Sequence, residues 1–145
     1  MAGPRFLEYL NGPDVDALAL SDEEVIEAVA GGLAAQGRGD TVIEPRVHLA
    51  PDSAFNGHFN VLRGYVAPLA LAGVKVVGDY VDNYRRDLPS EMGLLNLFDP
   101  ATGRPLAVID AAGLTDMRTG AVTALGHAML AKAARQGIGQ KLRYR

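Results

Sequence analysis

The order of its periodic segments constrains the fold of this chain more than any other feature. A helix-patterned segment ends at residues 36–40, β-patterned segments fill residues 41–109, and a second helix-patterned segment covers residues 114–135. Strands that are grouped between helices, rather than alternating with them, are typical of α+β domains. The order therefore predicts an α+β fold: a mostly antiparallel sheet with a central hairpin, flanked by an N-terminal and a C-terminal helix. A length of 145 residues is that of one domain, which we expect over residues 1–145.

Local signals organise the start of the chain. Ser21 precedes Glu24 by three residues, which is the spacing of a capping box and predicts the start of the first helix. The glycines within residues 36–40 predict its end. Before this helix, residues 6–10 could form a short strand, and Asn11-Gly12-Pro13-Asp14 predicts a turn.

Several extended segments follow the first helix. Residues 44–49 predict a short strand at a sheet edge, because they contain Pro45, which cannot donate a backbone hydrogen bond. Residues 59–65 alternate in polarity, as a half-buried strand does, and residues 70–77 are a dense apolar run. Residues 79–90 are polar and predict a loop.

A hairpin and a second helix complete the pattern. Residues 93–98 and 105–109 are two β-rich segments, and Gly103 suits the left-handed position that closes the turn between them. The last helix is predicted with Thr115 as its N-cap and with the glycines of segment 137–139 as its end.

Composition excludes several classes of protein. The chain has no cysteine, which excludes a disulfide scaffold, a thiol nucleophile and a Cys-ligated metal centre. Its net charge of −3 has the wrong sign for a dedicated nucleic-acid binder. Apolar runs are interrupted well before the about 18 residues of a membrane span, and the N-terminus carries no apolar signal region. We therefore expect a cytoplasmic protein.

Lys75 is the first candidate for chemistry. It lies within the aliphatic segment Gly73-Val74-Lys75-Val76-Val77-Gly78. A buried, unpaired charge is costly, so this lysine either binds an anion or points to solvent. A lysine on the solvent face of a strand is the usual case, but the flanking valines make the two interpretations about equally good.

Two arginines are further candidates for anion binding. Arg46 follows Pro45 at the start of a short strand, and Arg118 is expected in the first turn of the last helix, close to Thr115 and Thr119. A guanidinium fork matches a carboxylate or a phosphate, and a helix N-terminus adds backbone donors. Solvated arginines near helix ends are the commoner case. A cation in a first turn opposes the helix dipole, however, which favours a bound anion.

The histidines and glycines give weaker signals. His48, Asp52 and His58 could be metal ligands, but their spacing matches no established metal motif, and we predict no metal site. Ser-His-Asp catalysis stays open, although the chain has no G-x-S-x-G turn to support it. Gly137-Ile138-Gly139-Gln140 resembles only the start of a dinucleotide fingerprint, and we interpret it as a helix end.

Five segments of the chain are informative in combination: Pro45-Arg46-Val47-His48, Gly73-Val74-Lys75-Val76-Val77, Leu88-Pro89-Ser90, Leu97-Phe98-Asp99-Pro100-Ala101-Thr102-Gly103-Arg104-Pro105-Leu106-Ala107 and Leu114-Thr115-Asp116-Met117-Arg118-Thr119-Gly120-Ala121. Together, and in this order, they resemble the N-terminal half of the ornithine cyclodeaminase/mu-crystallin family. Members of this family are NAD(P)-dependent enzymes that make or reduce an amino-acid imine, such as ornithine cyclodeaminases, alanine dehydrogenases and ketimine reductases.

The resemblance implies roles for five residues. Arg46, Lys75 and Arg118 correspond to the cationic residues that hold the substrate carboxylate, and Lys75 is also catalytic, near the reacting nitrogen. Ser90 and Thr119 would lie on the cofactor side. The physical argument agrees, because a bound carboxylate would neutralise a lysine in an apolar strand.

The resemblance also implies a second domain and partners. In the family, a Rossmann domain with the G-x-G-x-x-G loop follows this segment, and we expect it to be absent from residues 1–145. Three interpretations remain. The chain is a substrate-binding half whose second domain is supplied by another chain or lost by truncation, a cofactor-free domain that binds or transforms an amino or keto acid, or a structural dimerisation module. We expect a homodimer, a small amino or keto acid as ligand, at most weak binding of NAD(P), and neither nucleic acid nor a membrane as partner.

Overall fold

A computed structural model describes residues 6–135 of the chain. In this part of the chain, the elements are β1 (Glu8–Leu10), α1 (Gly12–Ala17), α2 (Asp22–Arg38), β2 (Thr41–Ile43), β3 (Val47–Leu49), β4 (Gly57–Val66), β5 (Leu71–Tyr80), β6 (Glu91–Phe98), β7 (Pro105–Asp110) and α3 (Ala112–Arg135). The strands form one sheet in the order β1-β7-β6-β5-β4-β2, and β3 also pairs with β4. All of these pairs are antiparallel except β1–β7. The predicted α+β fold is confirmed.

Two local predictions are confirmed in detail. The Ser21 side chain accepts a hydrogen bond from the backbone N–H of Glu24, and the Glu24 carboxylate accepts one from the N–H of Ser21, so the capping box is complete. The predicted hairpin is formed by β6 and β7. In its turn, Gly103 has φ +71 and donates its N–H to the Asp99 carbonyl at 2.8 Å. Glycine reaches this left-handed conformation without strain.

The predicted turn at Asn11 is wrong, because this segment begins helix α1. The Asn11 side chain accepts the N–H of Asp14 at 3.0 Å, and the Asp14 carboxylate accepts the N–H of Asn11 at 3.0 Å. Asparagine favours N-caps as much as turns, and Pro13 is tolerated in a first helical turn, where its missing N–H needs no partner. The same residues therefore predict either structure.

The predicted N-cap at Thr115 is also wrong. Helix α3 begins at Ala112, whose N–H donates to the Asp110 carboxylate at 2.9 Å. Thr115 is thus inside the first turn, where its hydroxyl donates to the Ala111 carbonyl. Arg118 consequently lies in the second turn of the helix and not in the first, so its opposition to the helix dipole carries less weight.

Two further predictions, one of a strand and one of a loop, need smaller corrections. Pro45 does lie at the sheet edge, but between β2 and β3 rather than inside a strand. The segment predicted as a polar loop contains the end of β5 and the 3-10 helix Val81–Arg86. The predicted helix end at residues 137–139 lies outside the described residues.

The strand register defines two faces of the sheet. Lys75 lies opposite Leu62 of β4 and Leu95 of β6, so these three side chains share one face, and α3 reaches the same face through Thr115. Met92 and Leu94 belong to the other face and are 40% and 45% exposed. The fully buried apolar side chains of the described residues are few and mostly small: Val15, Ala35, Val77, Ala111 and Ala121.

Within residues 6–135, no helix combines the length and the hydrophobicity that are needed to cross a membrane.

Candidate functional site

Lys75 lies at the centre of the site, in the middle of strand β5. This strand pairs with β4 on one side and with β6 on the other, so the lysine is half-buried between Leu62 and Leu95. Its Nζ donates a hydrogen bond to Oγ1 of Thr115 at 3.0 Å. The Thr115 hydroxyl in turn donates to the carbonyl of Ala111. This chain of hydrogen bonds directs the ammonium of Lys75 towards the beginning of α3 rather than into solvent.

Several charges act on Lys75. Burial lowers the pKa of this lysine, and the positive charges of Arg118 and, to a smaller extent, Arg46 lower it further, whereas the carboxylate of Glu91 raises it. Charges influence one another in this way only over short distances. Among residues 6–135, neither Lys75 nor these two arginines forms an ion pair with a carboxylate. The charges of the three cations are therefore coupled, and no carboxylate in the described part of the chain is paired with any of them.

A cavity of about 890 Å³ is reached from Lys75 through its hydrogen-bond partner Thr115. It lies between the first half of α3 and the segment that enters β6, and Thr115, the partner of Lys75, is part of its wall. The wall brings together the predicted residues Ser90, Arg118 and Thr119 with Glu91.

The segment that carries Ser90 and Glu91 is held in place by the preceding helix. Asn83 is only 5% exposed and donates its side-chain amide to the Pro89 carbonyl at 2.8 Å. The backbone N–H of Tyr80 donates to the Ser90 carbonyl, also at 2.8 Å. A buried amide that satisfies a backbone carbonyl rigidifies a loop that has few other constraints. The positions of Ser90 and Glu91 are therefore defined by the fold.

Other candidate residues are not part of this wall. Arg46 is exposed, lies just before β3 at the sheet edge, and acts on Lys75 through its charge. The rings of His48 and His58 lie 5.4 Å apart, and His58 Nε2 is 3.2 Å from the amide nitrogen of Asn60. Within the described residues, no three side chains of the metal-ligating types are clustered in a way that could hold a metal ion.

One contributor to the site, Glu91, was not predicted, and a second, Thr115, was predicted in a different role. Glu91 begins β6, and its position two residues before Gly93 and four before Leu95 puts it on the same face as Lys75. This alternation was visible in the sequence once the strand was placed, but no local signal marked the glutamate. Thr115 was identified, although as a helix cap. Its contact with Lys75 joins residues 40 positions apart, which no local pattern predicts.

The donor set of the cavity fits part of a dinucleotide. Arg118 suits a phosphate or carboxylate group. The Thr119 hydroxyl donates its hydrogen to the Thr115 carbonyl at 2.7 Å, so its lone pairs can accept a hydrogen bond from a ribose hydroxyl. The printed sequence has no G-x-G-x-x-G segment to bind a pyrophosphate. These residues could therefore hold one side of NAD(P), with the pyrophosphate bound elsewhere.

Comparison with known proteins bears on the function of this site. A sequence profile of the ornithine cyclodeaminase/mu-crystallin family matches residues 9–139. Among curated proteins, N-((2S)-2-amino-2-carboxyethyl)-L-glutamate dehydrogenase of Staphylococcus aureus is 30% identical over 135 residues, which cover 88% of this chain and 40% of that enzyme. The resemblance stated from the sequence motifs is confirmed.

Solved structures give the same result. The Δ1-pyrroline-2-carboxylate reductase of Thermococcus litoralis, in complex with NADH and L-proline, superimposes with a TM-score of 0.77 at 32% identity, covering 81% of this chain and 36% of that one. An archaeal alanine dehydrogenase dimer with bound NAD gives a TM-score of 0.73 at 31% identity, covering 80% of this chain and 34% of that one. The chain spans 37%, 40% and 36% of the lengths of three curated relatives that it matches.

Proposed function

The chain belongs to the ornithine cyclodeaminase/mu-crystallin family, and we propose that it acts as the substrate-binding half of an NAD(P)-dependent enzyme that forms or reduces an amino-acid imine. The proposal rests on one observation above all. Lys75 lies inside an apolar strand, the positive charges of Arg118 and Arg46 act on it, and among the described residues no carboxylate is paired with it. Such an arrangement is costly when empty and is stabilised by an anion.

In this proposal the anion is the carboxylate of a small amino, imino or keto acid. The two guanidinium groups supply planar, charge-assisted donors, and the Lys75 ammonium supplies a point charge. Thr115 holds that ammonium through the 3.0 Å hydrogen bond. Because Nζ has three hydrogens and this bond uses one, two remain for the substrate. Binding at three points would orient the α-carbon before the reaction.

Lys75 would also be the catalytic residue. Its lowered pKa brings the exchange of a proton closer to neutral pH than for an ordinary lysine, which is what a general acid or base requires. It would hold or release a proton at the nitrogen of the substrate. NAD(P), when bound, supplies the hydride chemistry at the α-carbon.

Ser90 and Thr119 would face the cofactor, because both line the same cavity as Arg118. The dinucleotide fold itself would come from further residues of the protein or from another chain. Both residues are exposed, so their hydroxyls are accessible to a cofactor that binds between this domain and the dinucleotide fold. Ligand sites are common at such interfaces between domains.

The assembly that we propose is a homodimer formed through the sheet. On the face opposite Lys75, Met92 and Leu94 are exposed although their strand, β6, has a neighbour on each side. The small number of buried apolar residues in the described part of the chain points in the same direction. Exposed apolar patches on a folded domain commonly mark an interface, and a related archaeal alanine dehydrogenase is a dimer.

A ligand-dependent rise in melting temperature tests the proposal. The chain is titrated with small amino, imino and keto acids, with chloride at equal ionic strength as control. A ligand at 100 times its Kd stabilises the folded state by about 2.7 kcal/mol, or roughly 5–10 °C in a domain of this size. Lys75→Met should abolish the rise in melting temperature. Lys132→Met is the control and should preserve the rise, because Lys132 is an exposed residue in the last turn of α3. The absence of any rise beyond chloride would refute the proposal and leave a purely structural dimerisation module.

A further inference from the structure

We infer that Glu91 binds the positively charged nitrogen of the substrate, so that the site prefers an α-amino acid to the 2-keto acid with the same carbon skeleton. The inference rests on the proposed function, because the carboxylate must be bound first at Lys75 and the two arginines. It adds a negatively charged subsite to a site that is otherwise described by its cations.

The position of Glu91 supports this role. It is the first residue of β6, it pairs in register with Asp79, and by alternation its side chain lies on the Lys75 face of the sheet. It is exposed and lines the cavity of about 890 Å³ together with Arg118. The segment before it is fixed by the buried Asn83, whose amide donates to the Pro89 carbonyl. A ligand that enters the cavity therefore meets this carboxylate in a defined place.

The charge of Glu91 is available to a ligand. Glu91 shares a face of the sheet with Lys75 and lines the same cavity as Arg118, yet within residues 6–135 it takes part in no ion pair. An amino acid carries a carboxylate and an ammonium on the same carbon atom. A guanidinium and an unpaired carboxylate that line one cavity, as Arg118 and Glu91 do, would complement both charges at once.

A second carboxylate in the cavity fits this role less well. Asp116 also lines the wall, but it faces a further cavity between α2 and α3. Its charge is not among those that shift the pKa of Lys75. Of these two carboxylates, only that of Glu91 acts on Lys75.

Glu91 would discriminate between amino acids and keto acids by attracting the former and repelling the latter. The ammonium of an amino acid, or the N–H of a protonated imine, can donate to the carboxylate. The carbonyl oxygen of a keto acid is an acceptor, and placing it beside a carboxylate is unfavourable. The neutral amide of glutamine can donate as well as accept, so Glu91→Gln should remove the preference without changing the shape of the side chain.

The test compares matched pairs of ligands: L-alanine with pyruvate, L-leucine with 4-methyl-2-oxopentanoate, and L-glutamate with 2-oxoglutarate. Their Kd values are measured by calorimetry on the full chain, for the wild type, Glu91→Gln and Glu91→Asp. Asp79→Asn is the matched control, since it removes the same charge from the same face but does not line the cavity. Circular dichroism confirms that each variant is folded.

We expect Glu91→Gln to raise the Kd of the amino acid at least tenfold and that of the keto acid less than twofold. Glu91→Asp should have an intermediate effect, and Asp79→Asn should leave both Kd values unchanged. An equal loss for both ligands, no loss for either, or a wild type that binds only keto acids would overturn the role of Glu91 and leave the proposed function intact. A wild type that binds no member of any pair would overturn the proposed function and this inference together.

Discussion

Replacing Lys75 by methionine should stabilise the empty protein, and the gain should depend on pH. The ammonium is half-buried, two arginines repel it, and one glutamate attracts it. Methionine has a similar length and no charge, so it keeps the packing against Leu62 and Leu95 and removes the repulsion.

The expected gain follows from three contributions. Repulsion from Arg118 and Arg46, less the attraction of Glu91, leaves about one net like charge, which costs about 1 kcal/mol at a separation of about 8 Å and an effective dielectric constant of about 40. The lost hydrogen bond to Thr115 subtracts about 1 kcal/mol. Burial of the methionine side chain returns a similar amount. The free energy of unfolding of Lys75→Met should therefore exceed that of the wild type by about 1 kcal/mol at pH 7.

The pH dependence has a definite sign. The pKa of Lys75 in the folded protein lies below its ordinary value of 10.5. At a pH between the folded-state pKa and 10.5, the unfolded chain therefore binds more protons than the folded protein. The stability of the wild type therefore rises with pH across this window. Lys75→Met lacks the group, so its advantage should shrink as the pH approaches 10.5. All other titratable groups are common to both proteins, so their contributions cancel in the difference.

Urea denaturation of both proteins between pH 7 and pH 10.5, followed by circular dichroism, measures this difference. Lys132→Met is the control and should differ from the wild type by no more than about 0.5 kcal/mol at any pH, as exposed substitutions do. A Lys75→Met protein that is less stable than the wild type at pH 7, or whose advantage is the same at every pH, would refute the argument that Lys75 carries an uncompensated charge.

Two further predictions concern the cofactor and the assembly. The 145-residue chain should bind NADH very weakly or undetectably. Ser90, Arg118 and Thr119 supply only one side of the cavity, and the sequence contains no G-x-G-x-x-G loop to bind the pyrophosphate. Tight, saturable binding in a nicotinamide fluorescence titration would contradict this prediction. The chain should have the mass of a dimer by light scattering at micromolar concentration, and Leu94→Glu, which places a charge on the exposed apolar face, should shift it to a monomer. A monomeric wild type would argue against the dimer.

Much of the fold was predictable because its signals are local. The capping box of Ser21 and Glu24 and the left-handed Gly103 each depend on residues at most four positions apart. Failures arose where one local signal suits two structures. Asn11 caps a helix as readily as it opens a turn, and the choice depended on the packing of α1 against β7 and α3.

The sequence by itself determined the fold class, the start of α2, the hairpin of β6 and β7 and, through the motifs shared with a family, the cations that we assign to the substrate. It also marked Lys75 as exceptional, because a charge inside an apolar strand needs an explanation. Only the tertiary structure decided that this lysine donates to Thr115 in a distant helix, that Arg118 lies in the second turn of that helix, and that Glu91 shares a cavity with Arg118. These contacts depend on strand register and on the placement of α3, which result from packing across the whole domain rather than from the chemistry of neighbouring residues.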